Sequence, residues 1–406
     1  MSNPLENKHI LLGITGSIAA YKGAELASKL TQAGVDVNVL LTSSAEKFVS
    51  PLTYQSLTGN KCFTDADLWG GEGHIVHVQL GRTTDLMLIA PASANTIAKL
   101  AHGSADNLVS ITALAARCPL VVAPAMDAGM FTHPATQENV RLLQSRGVTF
   151  IGPEEGHLAS GLEGRGRMTE PQDIVNQVRW ILSQGGPLSG RKIVVTAGGT
   201  QEAIDPVRVI GNRSSGKQGY AIAQAALDYG AKVTLITTPT ALPIPFGAQV
   251  VQVQTAEEMR KAVLENIPEA LALIMTAAVA DFRPIHQQEE KIKKEKGLKE
   301  IQLENTTDIL LEVANKKPKM NPGLRVIGFA AESQDIFKNA QKKLESKHLD
   351  IIAVNDITSP VAGFGTDTNQ VSLLFADGSS EDLPLMKKSE VAEKIIHSNP
   401  RKTLFY

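Results

Sequence analysis

The sequence predicts an α/β protein built from two doubly wound, Rossmann-like domains. Near the start, an apolar strand, a Gly-rich turn, an amphipathic helix and a second apolar strand follow one another, and the same order restarts near residue 190. The later strands of both halves are almost continuously apolar, as expected in a parallel sheet that is covered on both faces. A chain of 406 residues is also too long for one core, which favours two domains.

The first half opens with a βαβ unit formed by the strand KHILLGI, the helix IAAYKGAELASKLTQAG and the strand VDVNVLLT. Three further strands are predicted in DLMLIAP, LVVAPAM and VTFIGP, separated by helical patterns. The segment 183–190 is rich in Gly, Ser and Pro, which is typical of a linker. We therefore expect a first domain over residues 1–186 and a second over residues 187–406.

The second half repeats this order in the strand RKIVVTAGG, the helix GYAIAQAALDYGA and the strand KVTLITT. Three more strands are predicted in ALALIMTAAVAD, LRVIGFAAES and LDIIAVND, with Asp281 at the end of the first. Asp377-Gly378 then indicates a hairpin, so the second sheet should carry an antiparallel addition. Ligands of such sheets bind beyond the carboxyl ends of the strands, and we expect the functional residues in the loops there.

Composition and charge exclude several classes of protein. Apolar residues are 43% of the chain, charged residues are 20% and the formal net charge is -2, so neither disorder nor nucleic-acid binding is indicated. Two cysteines, Cys62 and Cys118, cannot form a disulfide framework or a cysteine-based metal cluster. The N-terminus lacks the apolar core of a signal peptide, and no apolar run reaches the ~18 residues of a membrane span. We expect a soluble, cytoplasmic protein without membrane or nucleic-acid partners.

The first Gly-rich turn, GITGSIAAYK, places Gly13, Gly16 and Ser17 between a strand and a helix. Backbone N–H groups and the helix dipole at such a turn can hold a phosphate. Glycine is equally common there for steric reasons. The dinucleotide pattern GxGxxG is absent, which argues against an NAD(P) dehydrogenase.

The second turn, GNRSSGK, matches GxxxxGK, but Gln218 stands where a P-loop needs Ser or Thr for magnesium. A P-loop ATPase is therefore not predicted. Asn212, Ser214 and Ser215 precede a helix and suit phosphate or carboxylate oxygens, although a polar surface loop fits the same residues.

A charge run after Asp281 holds Lys291, Lys293 and Lys294. Such a run is usually a solvated face. It also fits a basic loop beside a magnesium-bound triphosphate, and composition alone does not decide between the two.

The stretch GEGHIVH places His74 and His77 three residues apart, just before an apolar strand. A metal bound by this pair would need further ligands, and the following strand offers neither Cys nor His. We therefore expect no metal at this pair.

Together, these motifs resemble the family of bifunctional bacterial phosphopantothenoylcysteine decarboxylase/phosphopantothenate-cysteine ligases of coenzyme A biosynthesis. In the first half the resemblance rests on GITGSIAAYK, HVQLGRTTDLMLIAPASANTIAKLA, PAMDAGMF and ASGLEGRGRM. In the second half it rests on TAGGTQEAIDPVR, NRSSGKQGYAIA, TAAVADFRP, KIKK, GFAAES and VND. It covers nearly the whole chain and implies an FMN-binding flavoprotein domain followed by a CTP-dependent ligase domain.

For the first domain, the resemblance implies an FMN-dependent decarboxylase. The residues implied in FMN binding are Gly16, Ser17, Ile18, Ser44, Ser93, Ala94, Asn95 and Ala125. His77 matches the family's active histidine, because x-x-Leu-Gly follows it and Asp85 lies eight residues downstream. His74 matches neither feature and is expected at the surface. The implied chemistry is oxidation of the substrate's cysteine thiol by the flavin, loss of carbon dioxide and return of the electrons, which gives 4'-phosphopantetheine.

Two catalytic positions depart from the family's pattern. Asp127 stands where the family has an Asn that donates hydrogen bonds to the substrate, so Asp127 must be protonated or accept the substrate's amide N–H. Ser160 replaces a Cys that donates a proton to the enethiolate. Either Ser160 relays a proton from water, or the reaction stops at the enethiol, as in peptide-cysteine decarboxylases.

For the second domain, the resemblance implies that CTP activates 4'-phosphopantothenate as an acyl cytidylate, which the amine of L-cysteine then attacks. Asn212 is implied to contact that intermediate, and Lys291 to neutralise phosphate charge. The implied CTP-binding residues are Ala277, Asp281, Lys291, Asn305, Thr306, Thr307, Asp308, Phe329, Lys343 and Lys347. Thr306 and Thr307 fill a stretch in which the family has Asn-Pro-Asp-Ile. The triphosphate implies Mg2+, without identified protein ligands.

The resemblance also implies trimeric packing of the first domains and dimeric packing of the second, hence a large homo-oligomer. Two other functions stay open. One is a flavin decarboxylase that stops at the enethiol, and the other is a regulatory flavoprotein without catalysis.

Overall fold

The computed structural model describes residues 3–68, 73–293, 300–332, 336–356 and 365–397. Contacts divide the chain into two compact units, Asn3–Leu182 and Ser183–Tyr406. The segment 183–190, expected to be a linker, packs within the second unit: Leu188 is 2% exposed, and its N–H donates to the Tyr229 carbonyl at 2.8 Å. The Gly186 backbone also lies close to Tyr229, since a Cβ on residue 186 would come within 2.5 Å of the Tyr229 carbonyl oxygen. The segment is therefore packed against the second unit and is not a free linker.

The described residues of the first unit form one sheet, eight α-helices and a hairpin. The strands of the sheet are β1 (His9–Ile14), β2 (Asp36–Leu41), β3 (Cys62–Thr64), β4 (Leu86–Ala92), β5 (Leu120–Pro124) and β6 (Thr149–Phe150), and the hairpin is formed by β7 (Glu154–His157) and β8 (Glu163–Arg167). The helices are α1 (Ala20–Gln32), α2 (Pro51–Thr58), α3 (Gly73–Thr83), α4 (Ala94–His102), α5 (Leu108–Ala115), α6 (Ala128–Thr132), α7 (Pro134–Ser145) and α8 (Pro171–Ser183). The sheet is parallel throughout, in the order β3-β2-β1-β4-β5-β6.

Both faces of this sheet are buried, which explains its continuously apolar strands. Along β4, Leu86 and Leu88 face a core that includes Leu26 of α1, whereas Met87 and Ile89 face a second core on the opposite side. Successive residues of one strand thus enter two different cores, and no polar face is left.

In the second unit, the part of the chain that the structure describes forms an eight-stranded sheet and two small two-stranded sheets. The strands of the large sheet are β9 (Lys192–Ala197), β12 (Lys232–Thr237), β13 (Gln249–Gln252), β14 (Ala272–Met275), β17 (Arg325–Glu332), β18 (Ile351–Asp356), β19 (Thr368–Phe375) and β20 (Ser380–Lys387), and the small sheets pair β10 (Gln201–Ala203) with β11 (Val209–Gly211) and β15 (Phe282–Pro284) with β16 (Leu303–Asn305). The helices are α9 (Lys217–Asp228), α10 (Ala256–Asn266), α11 (Ile309–Met320), α12 (Ile336–Ser346) and α13 (Lys388–His397).

The order of the large sheet is β13-β12-β9-β14-β17-β18-β19-β20, and only β19 and β20 are antiparallel to their neighbours. Gly378 has a φ of +82° in the turn between them, as the Asp377-Gly378 signal predicts. The predicted fold class, with two doubly wound sheets and an antiparallel addition to the second, is confirmed. The strand order reverses between β1 and β4 in one unit and between β9 and β14 in the other, and such switch points are where doubly wound sheets bind ligands.

One predicted strand boundary was wrong. β14 ends at Met275, so Asp281 lies six residues beyond the strand, in the loop that leads to β15. The ladder stops because side chains take over the pairing: the Ala277 N–H donates to Thr196 Oγ1 at 3.2 Å, and the Ala280 N–H donates to Thr200 Oγ1 at 2.8 Å. The described residues include no helix long and apolar enough to cross a membrane.

Candidate active sites

The turn after β1 forms a cradle of backbone donors. Gly16 lies against the loop after the neighbouring strand β2, and a Cβ at this position would come within 2.6 Å of Ser44 Cβ. In the described part of the chain, no acceptor receives the N–H groups of Gly16, Ser17 or Ile18. Consecutive unpaired N–H groups before a helix are suited to an anion such as phosphate.

The loops after β4 and β5 reach the same edge of the first sheet. The Thr15 hydroxyl, at the end of β1, donates to the Pro91 carbonyl at 2.8 Å and accepts the Ser93 N–H at 2.9 Å. Ser93 caps α4, which places Ala94 and Asn95 in its first turn. Ala125 donates its N–H to the Ala92 carbonyl at 3.0 Å. The structure thus brings all the predicted FMN-binding residues to one edge of the sheet, in the loops after β1, β2, β4 and β5 and in the first turn of α4.

The β7–β8 hairpin is held against the loop after β5. The Met126 N–H donates to the Gly166 carbonyl at 3.0 Å, so the two backbones are in direct contact. The turn of the hairpin carries Ser160, whose Oγ donates to Asp127 Oδ2 at 2.7 Å. The two residues that depart from the family's pattern therefore contact each other.

Asp127 is the N-cap of α6, where its Oδ1 accepts the Gly129 N–H at 2.9 Å. The Ser160 hydroxyl and then the Gly129 N–H stabilise the carboxylate, and together they lower the pKa of Asp127 from its ordinary value. Of the two expected states, the lowered pKa favours the ionised one, which accepts hydrogen bonds.

His77 lies in the first half of α3. Because α3 connects two parallel strands, it begins at the carboxyl edge of the sheet, the edge at which the other predicted residues lie. The Nδ1 atom of His77 is buried and has no hydrogen-bond partner in the described residues. Among those residues, no hydrogen bond joins His77 to Asp127 or Ser160. The side chain of His74 lies outside what the structure describes, so its predicted surface position is not tested.

The second unit has a cavity of about 680 Å³ at the carboxyl edge of its large sheet. Nine of the ten predicted CTP-binding residues line it together with Asn212, and only Lys291 does not: Ala277, Asp281, Asn305, Thr306, Thr307, Asp308, Phe329, Lys343 and Lys347. Its walls come from the loop after β11 and the start of α9, the loop after β14, the loop between β16 and α11, strand β17 and the end of α12.

Several of these residues are fixed by hydrogen bonds. The Asn212 amide donates to the Val279 carbonyl at 2.9 Å, and Asp308 caps α11 by accepting the Leu311 N–H at 3.1 Å. Lys347 Nζ lies 2.8 Å from Asp308 Oδ2. Burial raises the pKa of Asp308, but the Lys347 ammonium and backbone donors outweigh it and lower the pKa overall.

The cavity also contains residues that the sequence did not single out. Lys388 and Asn369 line it from the far end of the chain, and Asn355 has a buried Oδ1 without a partner in the described residues. Burial, and then the nearby Lys217, lower the pKa of Lys388. Lys217 lies 2.7 Å from Asp367. No local pattern marks Lys388, since it reaches the cavity only through the pairing of β19 and β20.

The basic loop and a metal site were the remaining expectations for this unit. Lys291 and Lys293 are exposed, and Lys294 lies outside the described residues. No group of three or more His, Cys, Asp or Glu side chains that could hold a metal ion occurs in the part of the chain that the structure describes.

Each of the two units matches a known protein family. A family model described as Flavoprotein matches residues 1–183, and one described as DNA/pantothenate metabolism flavoprotein C-terminal domain matches residues 188–399. The chain is 45% identical over 395 residues to the Coenzyme A biosynthesis bifunctional protein CoaBC of Bacillus subtilis (strain 168), which covers 97% of this chain and 96% of the relative. It is 40% identical over 394 residues to the protein of that name from Vibrio vulnificus (strain CMCP6), with 97% of each covered. It is 41% identical over 401 residues to that of Mycobacterium tuberculosis (strain ATCC 25618 / H37Rv), with 96% and 95% covered. As its motifs predict, the chain belongs to the family of bifunctional coenzyme A biosynthesis proteins.

Proposed function

We propose that the second unit joins 4'-phosphopantothenate to L-cysteine with CTP and Mg2+, and that the first unit decarboxylates the product to 4'-phosphopantetheine with FMN. The observation that carries this proposal is the match to bifunctional coenzyme A biosynthesis proteins over 97% of the chain, which spans both units. Further support comes from the expected residues, which except for Lys291 in the second unit lie where doubly wound proteins bind ligands, at the carboxyl edges of the sheets.

The turn after β1 fits the phosphate of FMN. The unpaired N–H groups of Gly16, Ser17 and Ile18 would donate to phosphate oxygens, and the contact with Ser44 leaves no room for a side chain at position 16. Ser93, Ala94, Asn95 and Ala125 would contact the flavin ring across the switch point. When bound, FMN would supply the reversible two-electron oxidation of the substrate's thiol.

His77 would act as the base or hold the departing carboxylate. Its buried Nδ1 has no hydrogen-bond partner among the described residues, so no hydrogen bond at that nitrogen commits the ring to another described residue. Ionised Asp127 would accept the amide N–H of the substrate, because the carboxylate has lone pairs beyond those used by Ser160 and Gly129.

Ser160 would complete the reaction as a relay. Its hydroxyl hydrogen is directed at Asp127 before catalysis, so the hydroxyl must turn to the enethiolate and take a proton from water as it passes its own on. This step differs from donation by a thiol, which is a far stronger acid. Release of the enethiol is the competing outcome, and it gives a product two hydrogens lighter than 4'-phosphopantetheine.

The cavity of the second unit would hold the nucleotide and the acid substrate. Its volume of about 680 Å³ is within the ordinary range of ligand sites. Lys343 and Lys347 supply positive charge for phosphates, Asn212 would contact the acyl cytidylate, and Lys291 would neutralise phosphate charge from the adjoining loop. Mg2+ would enter with the triphosphate and be held largely by phosphate and water oxygens.

Exposed apolar residues support the proposed homo-oligomer. Ile18, Tyr21, Phe48 and Leu52 are exposed in the first unit, near the cradle. In the second unit another exposed set lies in the two small sheets or next to them in the chain, Val207, Val209, Phe282, Ile285 and Leu303. Apolar clusters of this kind mark contact surfaces. Free Cys62 and Cys118 suit a reducing compartment, and we place the protein in the cytoplasm.

The two activities are tested separately with the full chain. His77→Asn should abolish decarboxylation of 4'-phosphopantothenoylcysteine and leave CTP-dependent pyrophosphate release unchanged, whereas Asn212→Ala should do the reverse. Wild-type decarboxylation by His77→Asn would overturn the assignment of that site. A colourless protein that cannot be reconstituted with FMN would instead favour a regulatory protein without catalysis.

A further inference from the structure

Asp205 is a buried carboxylate that none of the roles above uses. It follows β10 in the second unit and is 1% exposed. Its Oδ1 accepts the N–H groups of Val207 and Arg208, both at 2.8 Å, which closes a local turn. These two bonds account for one oxygen only.

The second oxygen of Asp205 reaches a distant part of the chain. Oδ2 accepts the Ile292 N–H at 3.2 Å and a hydrogen bond from Arg208 Nη1 at 2.8 Å. Arg208 Nη1 also donates to the Ile292 carbonyl at 3.3 Å. Both backbone polar groups of Ile292 are therefore held by the Asp205–Arg208 pair.

Ile292 directly follows Lys291. The same segment is tied down upstream, where the Gln288 N–H donates to the Ile204 carbonyl at 2.9 Å. The Lys291 side chain is exposed and does not line the cavity, so the position of its backbone decides whether it can reach a phosphate there. A long side chain on an unanchored loop would seldom have the required geometry.

We infer that Asp205 is a positioning residue for ligation, which anchors Ile292 so that Lys291 is held beside the nucleotide cavity. This inference rests on the proposed role of Lys291. The role depends on both oxygens of the Asp205 carboxylate. A side chain that accepts the Val207 and Arg208 N–H groups but not the Ile292 N–H would not anchor the loop.

Asp205→Asn tests this directly. An asparagine keeps one oxygen for Val207 and Arg208, but its NH2 group cannot accept the Ile292 N–H. We expect kcat for CTP-dependent pyrophosphate release to fall by about 10- to 100-fold, as for a catalytic group displaced by about 1 Å. Trypsin cleavage after Lys291 should become faster. Decarboxylation of separately supplied 4'-phosphopantothenoylcysteine should not change.

A double mutant separates positioning from a general structural role. In a Lys291→Ala background, Asp205→Asn should cause no further loss of kcat, because the residue that it positions is already absent. Ile292→Pro removes the same N–H from the loop side and should reproduce the loss without altering the Asp205 turn. Arg325→Gln, which breaks an exposed ion pair with Asp350 at the start of β17, is the matched control and should keep the wild-type rate.

An equal further loss in the Lys291→Ala background, or an unchanged rate in both Asp205→Asn and Ile292→Pro, overturns the inference. Wild-type ligation by Lys291→Ala also overturns it, by removing the role on which it rests. Absence of CTP-dependent ligation in the wild-type protein would instead count against the proposed function itself.

Discussion

In the turn after β1, Gly16 allows a close approach to the neighbouring loop because it has no Cβ. Gly16 lies beside Ser44, and a methyl group there would come within 2.6 Å of Ser44 Cβ. Gly16→Ala would therefore push the turn after β1, whose N–H groups are proposed to hold a phosphate, away from the loop that carries Ser44. The glycine is needed for close approach, since its backbone is not in the left-handed region.

We expect Gly16→Ala to reduce FMN binding at least tenfold, a loss of about 1.4 kcal/mol in binding free energy. The measurement is the flavin absorbance bound per chain during titration of the apoprotein. Gly185→Ala is the control, because a Cβ at Gly185 meets nothing within 4 Å and its φ is not positive. Equal FMN affinity in the two variants would rule out the cradle as the phosphate site.

Asp127 and Ser160 give a prediction about pH. Their hydrogen bond favours the ionised carboxylate and lowers the pKa of Asp127, so it is present above that pKa and is lost as the pH falls through it. Ser160→Ala removes the largest cause of the shift, and the pKa of Asp127 should rise.

The acid limb of kcat/KM for decarboxylation should accordingly move to higher pH in Ser160→Ala. Ser145→Ala, at the exposed end of α7, should leave the profile unchanged. An acid limb at the wild-type position in Ser160→Ala would show that the pair does not set this ionisation.

The contact between Asp127 and Ser160 could not be predicted from the sequence. The two residues are 33 positions apart. In the sequence they are two separate departures from the family's pattern, and nothing in the local pattern links them. They meet because the β7–β8 hairpin folds back onto the loop after β5, and a hairpin of short strands with little apolar content leaves no periodic signal.

The β7–β8 hairpin packs closely against the loop after β5 because it has a glycine at the point of contact. Gly166 lies so close to Met126 that a Cβ would overlap the Met126 carbonyl oxygen. Gly166→Ala should lift the hairpin from the loop after β5, separate Ser160 from Asp127 and reduce decarboxylation at least tenfold.

Limited proteolysis gives an independent measurement of this movement. Trypsin should cleave faster after Arg165 and Arg167 in Gly166→Ala, while CTP-dependent ligation by the second unit is unchanged. Gly161→Ala is unsuitable as a control because its φ is +81°, whereas Gly185→Ala is suitable. Wild-type cleavage and decarboxylation in Gly166→Ala would contradict the proposed seating of the hairpin.

Long apolar strands were the elements that the sequence predicted well. β1, β2, β4 and β9 are largely buried, and most residues along them are apolar. The three-residue strands β10, β11, β15 and β16 were missed because they are too short for a pattern, and β11, β15 and β16 are also largely exposed. β14 was predicted too long, since the apolar run continues where threonine side chains replace the ladder.

At the scale of the whole molecule, each proposed site is built from the residues of one unit. A chain with one damaged site should therefore still run the other reaction. A mixture of full-length His77→Asn and Lys291→Ala should make 4'-phosphopantetheine from 4'-phosphopantothenate, L-cysteine and CTP, because the first variant supplies the intermediate that the second consumes. Each variant alone should not, and mass spectrometry of the three reactions checks this.

The overall organisation followed from the sequence, whereas the walls of the cavity in the second unit did so only in part. Two βαβ starts predicted two doubly wound units, and motifs near strand ends pointed to Asn212 and Asp308. Lys388 and Asn369 reach the same cavity because the antiparallel strands return the end of the chain to this edge. Such a return depends on sheet order, which the local pattern does not contain.

The central claim is that one chain performs ligation and then a complete decarboxylation. It is tested most directly by supplying the FMN-loaded wild-type protein with 4'-phosphopantothenate, L-cysteine, CTP and Mg2+, and determining the mass of the product. We expect 4'-phosphopantetheine as the product. A product two hydrogens lighter, or accumulation of 4'-phosphopantothenoylcysteine, would contradict it.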